Sequence, residues 1–341
     1  MFKFIIDETK LLYSHKFNFL KNKNILITGS NGLIGHYLTA FFFNNINSKY
    51  SIGNLVLTYN SFLPKYFSIF KKNKKIKILK IDLTKKITNQ INIKFDYIFH
   101  LASYGQPDKF TSNPLKTFKL NTETITNLMN FIKMQGRFFY LSTSEIYSGL
   151  NGSISEDKIG TINTEHSRAC YIFSKLGGET LLSIFNKIKK IDYKIIRLCL
   201  AYGPGTKKND TRVLNQFIQR SLFKKKINLM DNGLSLRKYI YILDTLKMIL
   251  DICFFGKSRI YNVGGKKIVS IKKLAELIAS MQNKEIALPK NLKKEQKGAP
   301  KNAFVNINKY EKEFGKFKMT SLKTGLKKTI DWQKKLYEKK N

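Results

Sequence analysis

Three glycines at three-residue spacing stand in the segment Thr28-Gly29-Ser30-Asn31-Gly32-Leu33-Ile34-Gly35, and a Tyr171-x-x-x-Lys175 pair follows far downstream. Such glycines permit a tight turn and the close approach of a pyrophosphate, which points to a dinucleotide. The tyrosine and lysine lie four apart, the spacing of neighbours on one helix face. A free tyrosine, with a pKa near ~10, is a poor base at neutral pH. A lysine cation beside it favours the phenolate, as would a positive nicotinamide ring. Together the two motifs predict proton transfer next to a dinucleotide, and so hydride chemistry on an alcohol or ketone.

These groups need elements to position them. Asn24 to Ile27 is a short apolar run that reads as a buried parallel strand, and Leu33 to Phe43 reads as an apolar helix. Strand, glycine turn and helix is the context in which phosphates sit at the helix N-terminus. The cofactor candidates here are Gly29, Asn31, Gly32, Leu33, Ile34 and Gly35. A second strand, Leu55 to Thr58, runs into Tyr59-Asn60-Ser61 with no carboxylate to hold the adenosine ribose. NAD is the expected cofactor and NADP stays open, with Lys65 close enough in sequence to meet a 2′-phosphate. A third strand, Ile76 to Ile81, reaches Asp82 and Leu83; Asp82 either contacts the adenine or closes a strand-end turn.

The fourth strand runs from Asp96 through His100 to Leu101 and Ala102, and the fifth from Phe138 to Leu141. Carboxyl ends of parallel strands border the ligand crevice. Leu101 and Ala102 are therefore cofactor candidates. Thr143, Ser144 and Glu145 are placed for chemistry and substrate contact, with Tyr104 a further substrate candidate. A helix from Ala169 to Asn186 carries Tyr171 and Lys175. The alternation through Ile196 predicts an α/β fold with a doubly wound parallel sheet.

After Tyr202 the punctuation changes to Gly203-Pro204-Gly205, Asp231-Asn232-Gly233 and Gly264-Gly265. This reads as a smaller lobe over 201–341 closing on the substrate, with a helix near Ser270 to Gln282 and some strands returning to the sheet. Residues 23–200 would hold the dinucleotide, and 1–22 read as a helical extension.

Cys170, Cys199 and Cys253 are too few and too scattered for a disulfide framework or a zinc site, so all three are expected reduced and buried, and no metal is expected. Without an apolar run long enough to span a bilayer or a signal-peptide pattern, the expectation is a cytoplasmic enzyme. Basic residues number 62 against 23 acidic, a net charge of +39. The clusters are scattered and arginine is scarce beside lysine, so base readout is not suggested and nucleic acid is not an expected partner. A positive field would still attract a doubly charged anionic ligand.

The ordered set Thr-Gly-x-x-Gly-x-x-Gly, His100-Leu101-Ala102, Ser142-Thr143-Ser144-Glu145 and Tyr171-x-x-x-Lys175 resembles the extended short-chain dehydrogenase/reductases, the NAD-dependent epimerase/dehydratase family. Asn113-Pro114-Leu115-Lys116-Thr117, Arg168-Ala169-Cys170-Tyr171, Arg212-Val213 and Arg237 resemble more narrowly the UDP-glucuronate decarboxylases. The resemblance implies catalytic roles for Thr143, Glu145, Tyr171 and Lys175. It implies that Arg212 lies at the nucleotide and that Arg237 holds the substrate diphosphate or carboxylate. It also implies a homodimer, through segments around Leu115 to Met134 and Tyr171 to Phe185. A 4,6-dehydratase is a second reading, although Ser144 stands where those enzymes carry an aspartic acid, and a 4-epimerase is a third. Two stretches depart from the pattern: Tyr104-Gly105-Gln106-Pro107, and Leu200 where an asparagine usually faces the sugar nucleotide. A reading of another class is a non-catalytic dinucleotide-binding or nucleic-acid-associated protein, which would not need Thr143, Tyr171 and Lys175 together.

Overall fold

The computed structural model describes residues 2–46, 48–87, 90–289 and 303–338. The N-terminal extension forms α1 (Phe2–Lys10) and a 3-10 turn (His15–Leu20). The first glycine unit follows as β1 (Ile25–Thr28) and α2 (Leu33–Ile46), then β2 (Leu55–Tyr59), β3 (Ile76–Lys80) and β4 (Phe95–His100). Three short helices come next, α3 (Pro107–Ser112), α4 (Pro114–Asn121) and α5 (Glu123–Leu128). After β5 (Ile132–Thr143) and β6 (Gly152–Ile154), α6 (Ala169–Lys189) leads to β7 (Asp192–Leu198) and β8 (Leu200–Tyr202). The remainder is α7 (Val213–Phe223), β9 (Lys226–Asn228), β10 (Leu236–Tyr241), α8 (Ile242–Phe255), β11 (Ile260–Val263), β12 (Ile268–Ser270), α9 (Ile271–Ser280), β13 (Glu285–Ala287), β14 (Ala303–Val305), α10 (Asn308–Phe314) and α11 (Leu322–Glu338).

Seven strands make one parallel sheet in the order β11-β7-β5-β4-β1-β2-β3. The order reverses between β1 and β4, which opens a crevice at their carboxyl ends, where ligands bind in doubly wound sheets. β1 is buried along its whole length, as a central strand covered on both faces must be. β11 returns from the C-terminal part to the sheet edge beside β7. A three-stranded sheet, β12-β10-β8, carries the later part of the chain and puts Leu200 opposite Tyr239.

Strand β5 starts at Ile132, well before the apolar run that marks it in the sequence. Lys133, Met134 and Gln135 are exposed and the register against β4 shifts there, so this stretch lacks the apolar pattern of a buried strand. Met134 accordingly belongs to the strand and not to the preceding helices.

The extension has a definite structural role. α1 buries Phe2, Ile5, Glu8 and Thr9, a stripe at helical spacing. The Glu8 carboxylate accepts hydrogen bonds from Tyr37 on α2 at 2.9 Å and from Tyr241 at the end of β10 at 3.0 Å, and pairs with Lys328 on α11 at 2.7 Å. One buried carboxylate thus joins the glycine-turn helix to the C-terminal elements. Glu8→Ala strands two buried phenol hydroxyls and a half-buried ammonium, and a loss of about 2–4 kcal/mol in urea unfolding is expected. A loss below about 0.5 kcal/mol would show that the bridge carries no stability.

Candidate active site

The crest of the first turn is shaped for close approach. Gly29 has φ +65°, and a Cβ there would stand 2.9 Å from the Ala102 backbone. A Cβ on Gly35 would stand 2.5 Å from the Gly29 carbonyl. Leu33 and Ile34 open α2 directly behind this turn, so the helix N-terminus faces the crevice. Asn31 is buried, and its amide is spent on the Phe62 carbonyl.

The opposite wall is tied to the same turn. The Thr28 hydroxyl oxygen accepts the Leu101 and Ala102 N–H groups at 3.1 and 3.2 Å. Its proton goes to His100 Nδ1 at 2.8 Å, and the tautomer this implies lets Nε2–H donate to the Leu120 carbonyl at 2.8 Å. Burial pushes His100 down to about 3, so the ring is neutral and structural. Beyond it, Ser103 Oγ and Gln106 Oε1 are buried and find no hydrogen-bond partner among the described residues. Buried polar atoms without partners mark a surface that a ligand satisfies. Glycines that a Cβ would crowd, a helix N-terminus and these unpaired atoms all fit a dinucleotide lying across the strand ends. Tyr104 is half-buried on the same loop. Asp82 Oδ1 accepts from the Thr84 amide at 3.0 Å and its hydroxyl at 2.7 Å, so this carboxylate closes the turn after β3, with Leu83 buried beside it.

The reactive groups meet where β5 faces α6. Thr143 ends β5, is buried, and its hydroxyl acts on the Tyr171 phenol, pulling its pKa down. It also accepts the Glu145 amide at 3.2 Å. Lys175, one turn beyond Tyr171, donates to the Leu141 carbonyl at 2.7 Å and lies 4.7 Å from the Tyr140 ring centroid. Its Nζ is 5.9 Å from the Tyr171 ring centroid.

The electrostatics differ from the sequence expectation. Burial raises Tyr171 to about 12, against the Thr143 hydroxyl and the Arg168 and Arg212 cations, which pull it down. Lys175 contributes little to that balance, because burial pushes Lys175 itself down to about 7. Desolvation wins over pairing at both groups, so the chain alone does not prepare a phenolate.

Two arginines reach this centre. Arg212 caps α7 and grips Asp210 with two nitrogens, Nη2 to Oδ2 at 2.6 Å. Arg168, which the sequence reading did not single out as a site residue, grips Glu145 through Nε to Oε2 at 2.9 Å and Nη2 to Oε1 at 2.6 Å. Its signal was its place three positions before Tyr171, at the N-cap of α6. Phe110 of α3 was missed as well. It stacks on the Tyr171 ring at 4.6 Å with the planes 2° apart.

Ser144 and Arg237 belong to a neighbouring group. Ser144 pulls down the pKa of the Cys199 thiol against burial, and that thiol donates to the Lys238 carbonyl at 3.4 Å. Arg237 acts electrostatically on Cys199 and Tyr239 and donates to the Leu236 carbonyl. Cys170 and Cys199 are only half-buried, in contrast to the expectation, whereas Cys253 is buried.

Residues 25–264 match the NAD dependent epimerase/dehydratase family. UDP-glucuronic acid decarboxylase 1 of Xenopus tropicalis is 27% identical over 318 residues, covering 93% of this chain and 73% of that protein. Among solved structures, a UDP-N-acetylglucosamine 4-epimerase from Methanobrevibacter ruminantium M1 superposes with a TM-score of 0.77 at 21% identity, over 93% of this chain and 99% of that one. A dTDP-glucose 4,6-dehydratase from Bacillus anthracis, solved with NAD, gives 0.74 at 18% identity, over 93% of this chain and 98% of that one. These two likenesses establish the fold.

The window set by Lys175 is testable. Its folded value of about 7 lies below the ordinary 10.5. Between those values the unfolded chain holds the proton and the folded chain does not, so stability rises with pH through the window and is lowest below about pH 7. Lys175→Met is expected to be more stable than the parent by on the order of a few kcal/mol at pH 6, the advantage fading towards pH 10. Urea unfolding at both pH values checks this, and an advantage independent of pH would contradict it.

Proposed function

Since the chain belongs to the NAD dependent epimerase/dehydratase family, whose cofactor is NAD, we propose that it is a nucleotide-sugar enzyme working through a 4-keto intermediate, and specifically a UDP-glucuronate decarboxylase. The observation that carries this reading is the juxtaposition of Thr143 and Tyr171 with buried Lys175, whose Nζ lies 5.9 Å from the Tyr171 ring centroid. NAD, when bound, supplies the acceptor and later donor of a hydride, and a positive charge that favours the phenolate.

Tyr171 takes the proton of the sugar 4-hydroxyl while the C4 hydride leaves, and Thr143 holds the same oxygen. The product is a ketone at C4, which makes a C6 carboxylate a β-keto acid. The C5–C6 bond breaks, carbon dioxide leaves, and the electron pair stays as an enolate. C5 then takes a proton from water, directly or through Glu145, the hydride would return to C4 from the bound reduced cofactor, and Tyr171 returns its proton to O4. Arg237 is assigned to the substrate diphosphate or carboxylate and Arg212 to the nucleotide. Glu145 stands beside Thr143 for proton delivery or ring distortion, and Tyr104 and Ser144 face the substrate. Leu33, Ile34, Leu101 and Ala102 are assigned to the cofactor, and Asp82 to the turn after β3.

Dehydration is the weaker alternative, because Ser144, standing where an aspartic acid would be needed, is a weak acid. We assign residues 23–200 to the cofactor and 201–341 mainly to the substrate, with β11 as the returning strand. A homodimer through α4 and α6 accords with exposed Leu115, Phe118, Phe173, Ile184 and Ile188 on these two helices. No helix among the described residues is long and apolar enough to cross a membrane.

Protein incubated with UDP-glucuronate and NAD is expected to yield, by mass spectrometry, a sugar nucleotide lighter by one carbon dioxide. Tyr171→Phe is expected to bind NAD and turn over about 10²–10⁴-fold more slowly. Unchanged UDP-glucuronate would refute the decarboxylase assignment, and turnover of other nucleotide sugars would then identify the epimerase or dehydratase reading. Leu115→Glu with Ile188→Lys is expected to elute as a monomer in size-exclusion chromatography. If both this variant and the parent elute as monomers, the dimer proposal fails.

A further inference from the structure

We propose that Arg168 is a positioning residue that sets both Glu145 and the Tyr171 ring for the reaction, an inference resting on the functional reading above. Its main chain starts the helix of the catalytic pair: the Arg168 carbonyl accepts the Tyr171 and Ile172 amides, both at 3.1 Å. Its side chain reaches back 23 residues to hold Glu145 by two parallel bonds. A fork-to-fork pair admits one orientation, so the placement of Glu145 follows the register of α6. The pair is shielded, with side-chain exposures of 16% for Arg168 and 23% for Glu145.

The same guanidinium lies 5.4 Å from the Phe110 ring centroid, and Phe110 in turn stacks on Tyr171. Phe110 is 1% exposed, so its ring has little room to move. Arg168 therefore holds Glu145 directly and touches the support of Tyr171, without being a reacting group itself. Arg212, the other cation near Tyr171, is committed to Asp210, whose side chain is 3% exposed. It has no contact of this kind with Glu145 among the described residues.

The experiment is a double-mutant cycle on Arg168→Gln and Glu145→Gln, with Arg168→Lys as the conservative variant, read in kcat, KM and Tm on full-length protein with NAD. Arg168→Gln is expected to lower kcat about 10²-fold, as a misplaced group does, with KM changed by less than about threefold. The double variant should be no slower than Glu145→Gln alone, because the two residues act as one unit. Arg168→Lys keeps the charge without the fork and should recover part of kcat.

Additive losses in kcat, or full activity in Arg168→Gln, would overturn the proposal. So would a loss of kcat that merely follows a loss of Tm or of NAD binding, because that is a structural role. A parent protein that turns over no nucleotide sugar overturns the functional reading and any catalytic role for the pair. In that case non-additive Tm values would still show that the Arg168–Glu145 pair exists as a structural contact.

Discussion

The ion pair between Arg197 and Glu179 is the constraint on which the site depends. Both side chains are almost fully buried, at 3% and 7% exposure, and Nη2 meets Oε2 at 2.8 Å. A buried pair of this kind adds little net stability, since desolvation offsets the attraction, but it admits few geometries. Arg197 on β7 stands in register with Ser142 on β5, and Glu179 from α6 bonds to both, accepting the Ser142 hydroxyl at 2.5 Å. α6 is thereby pinned to two strands at one register. Lys175 lies one turn before Glu179 and Tyr171 one turn before that, so the pin aligns Tyr171 with Thr143 and Lys175 with the Leu141 carbonyl.

The same pair anchors the outer part of the fold. Arg197 also donates to the Tyr147 hydroxyl and to the Glu156 carbonyl, and Tyr147 passes its proton to Asn262 on β11. Asn262 in turn donates to Ile154 on β6 and to Asn306, next to β14. The buried network runs without interruption from α6 to the sheet edge. A polar network so fully satisfied rigidifies the region it crosses. In a chain with 62 basic and 23 acidic residues, acids are the scarce partner. Glu8, Glu145, Glu179, Asp210 and Asp251 each hold at least one cation. Asp251 holds two, Lys16 and Lys247.

Tyr171 and Lys175 are held in place but not in the charge states that the proposed reaction uses. Tyr171 stays protonated and Lys175 is pushed towards neutrality because both are desolvated. In the proposed reaction the chain supplies the geometry and the ligand would bring the missing charge, which would couple proton transfer to occupancy of the crevice.

Local pattern was enough to read the glycine turn, the strand ends and the Tyr171–Lys175 pair. Each depends on residue types within a few positions, such as the positive φ of Gly29 or the four-residue spacing on α6. The alternation of apolar strands and helices was enough for the doubly wound parallel sheet, because burial on both faces leaves a continuous apolar run. The early part of β5 was not legible, since its exposed Lys133-Met134-Gln135 stretch carries no such pattern. Only the tertiary structure decided what surrounds the reactive groups. Arg168 finds Glu145 across 23 residues, Glu179 finds Arg197 across 18 and Ser142 across 37, and Glu8 finds Lys328 across 320. It also decided the balance of burial against charge at Tyr171 and Lys175. Spacing along a chain carries no information about how much water a folded crevice excludes, and that exclusion sets both pKa values.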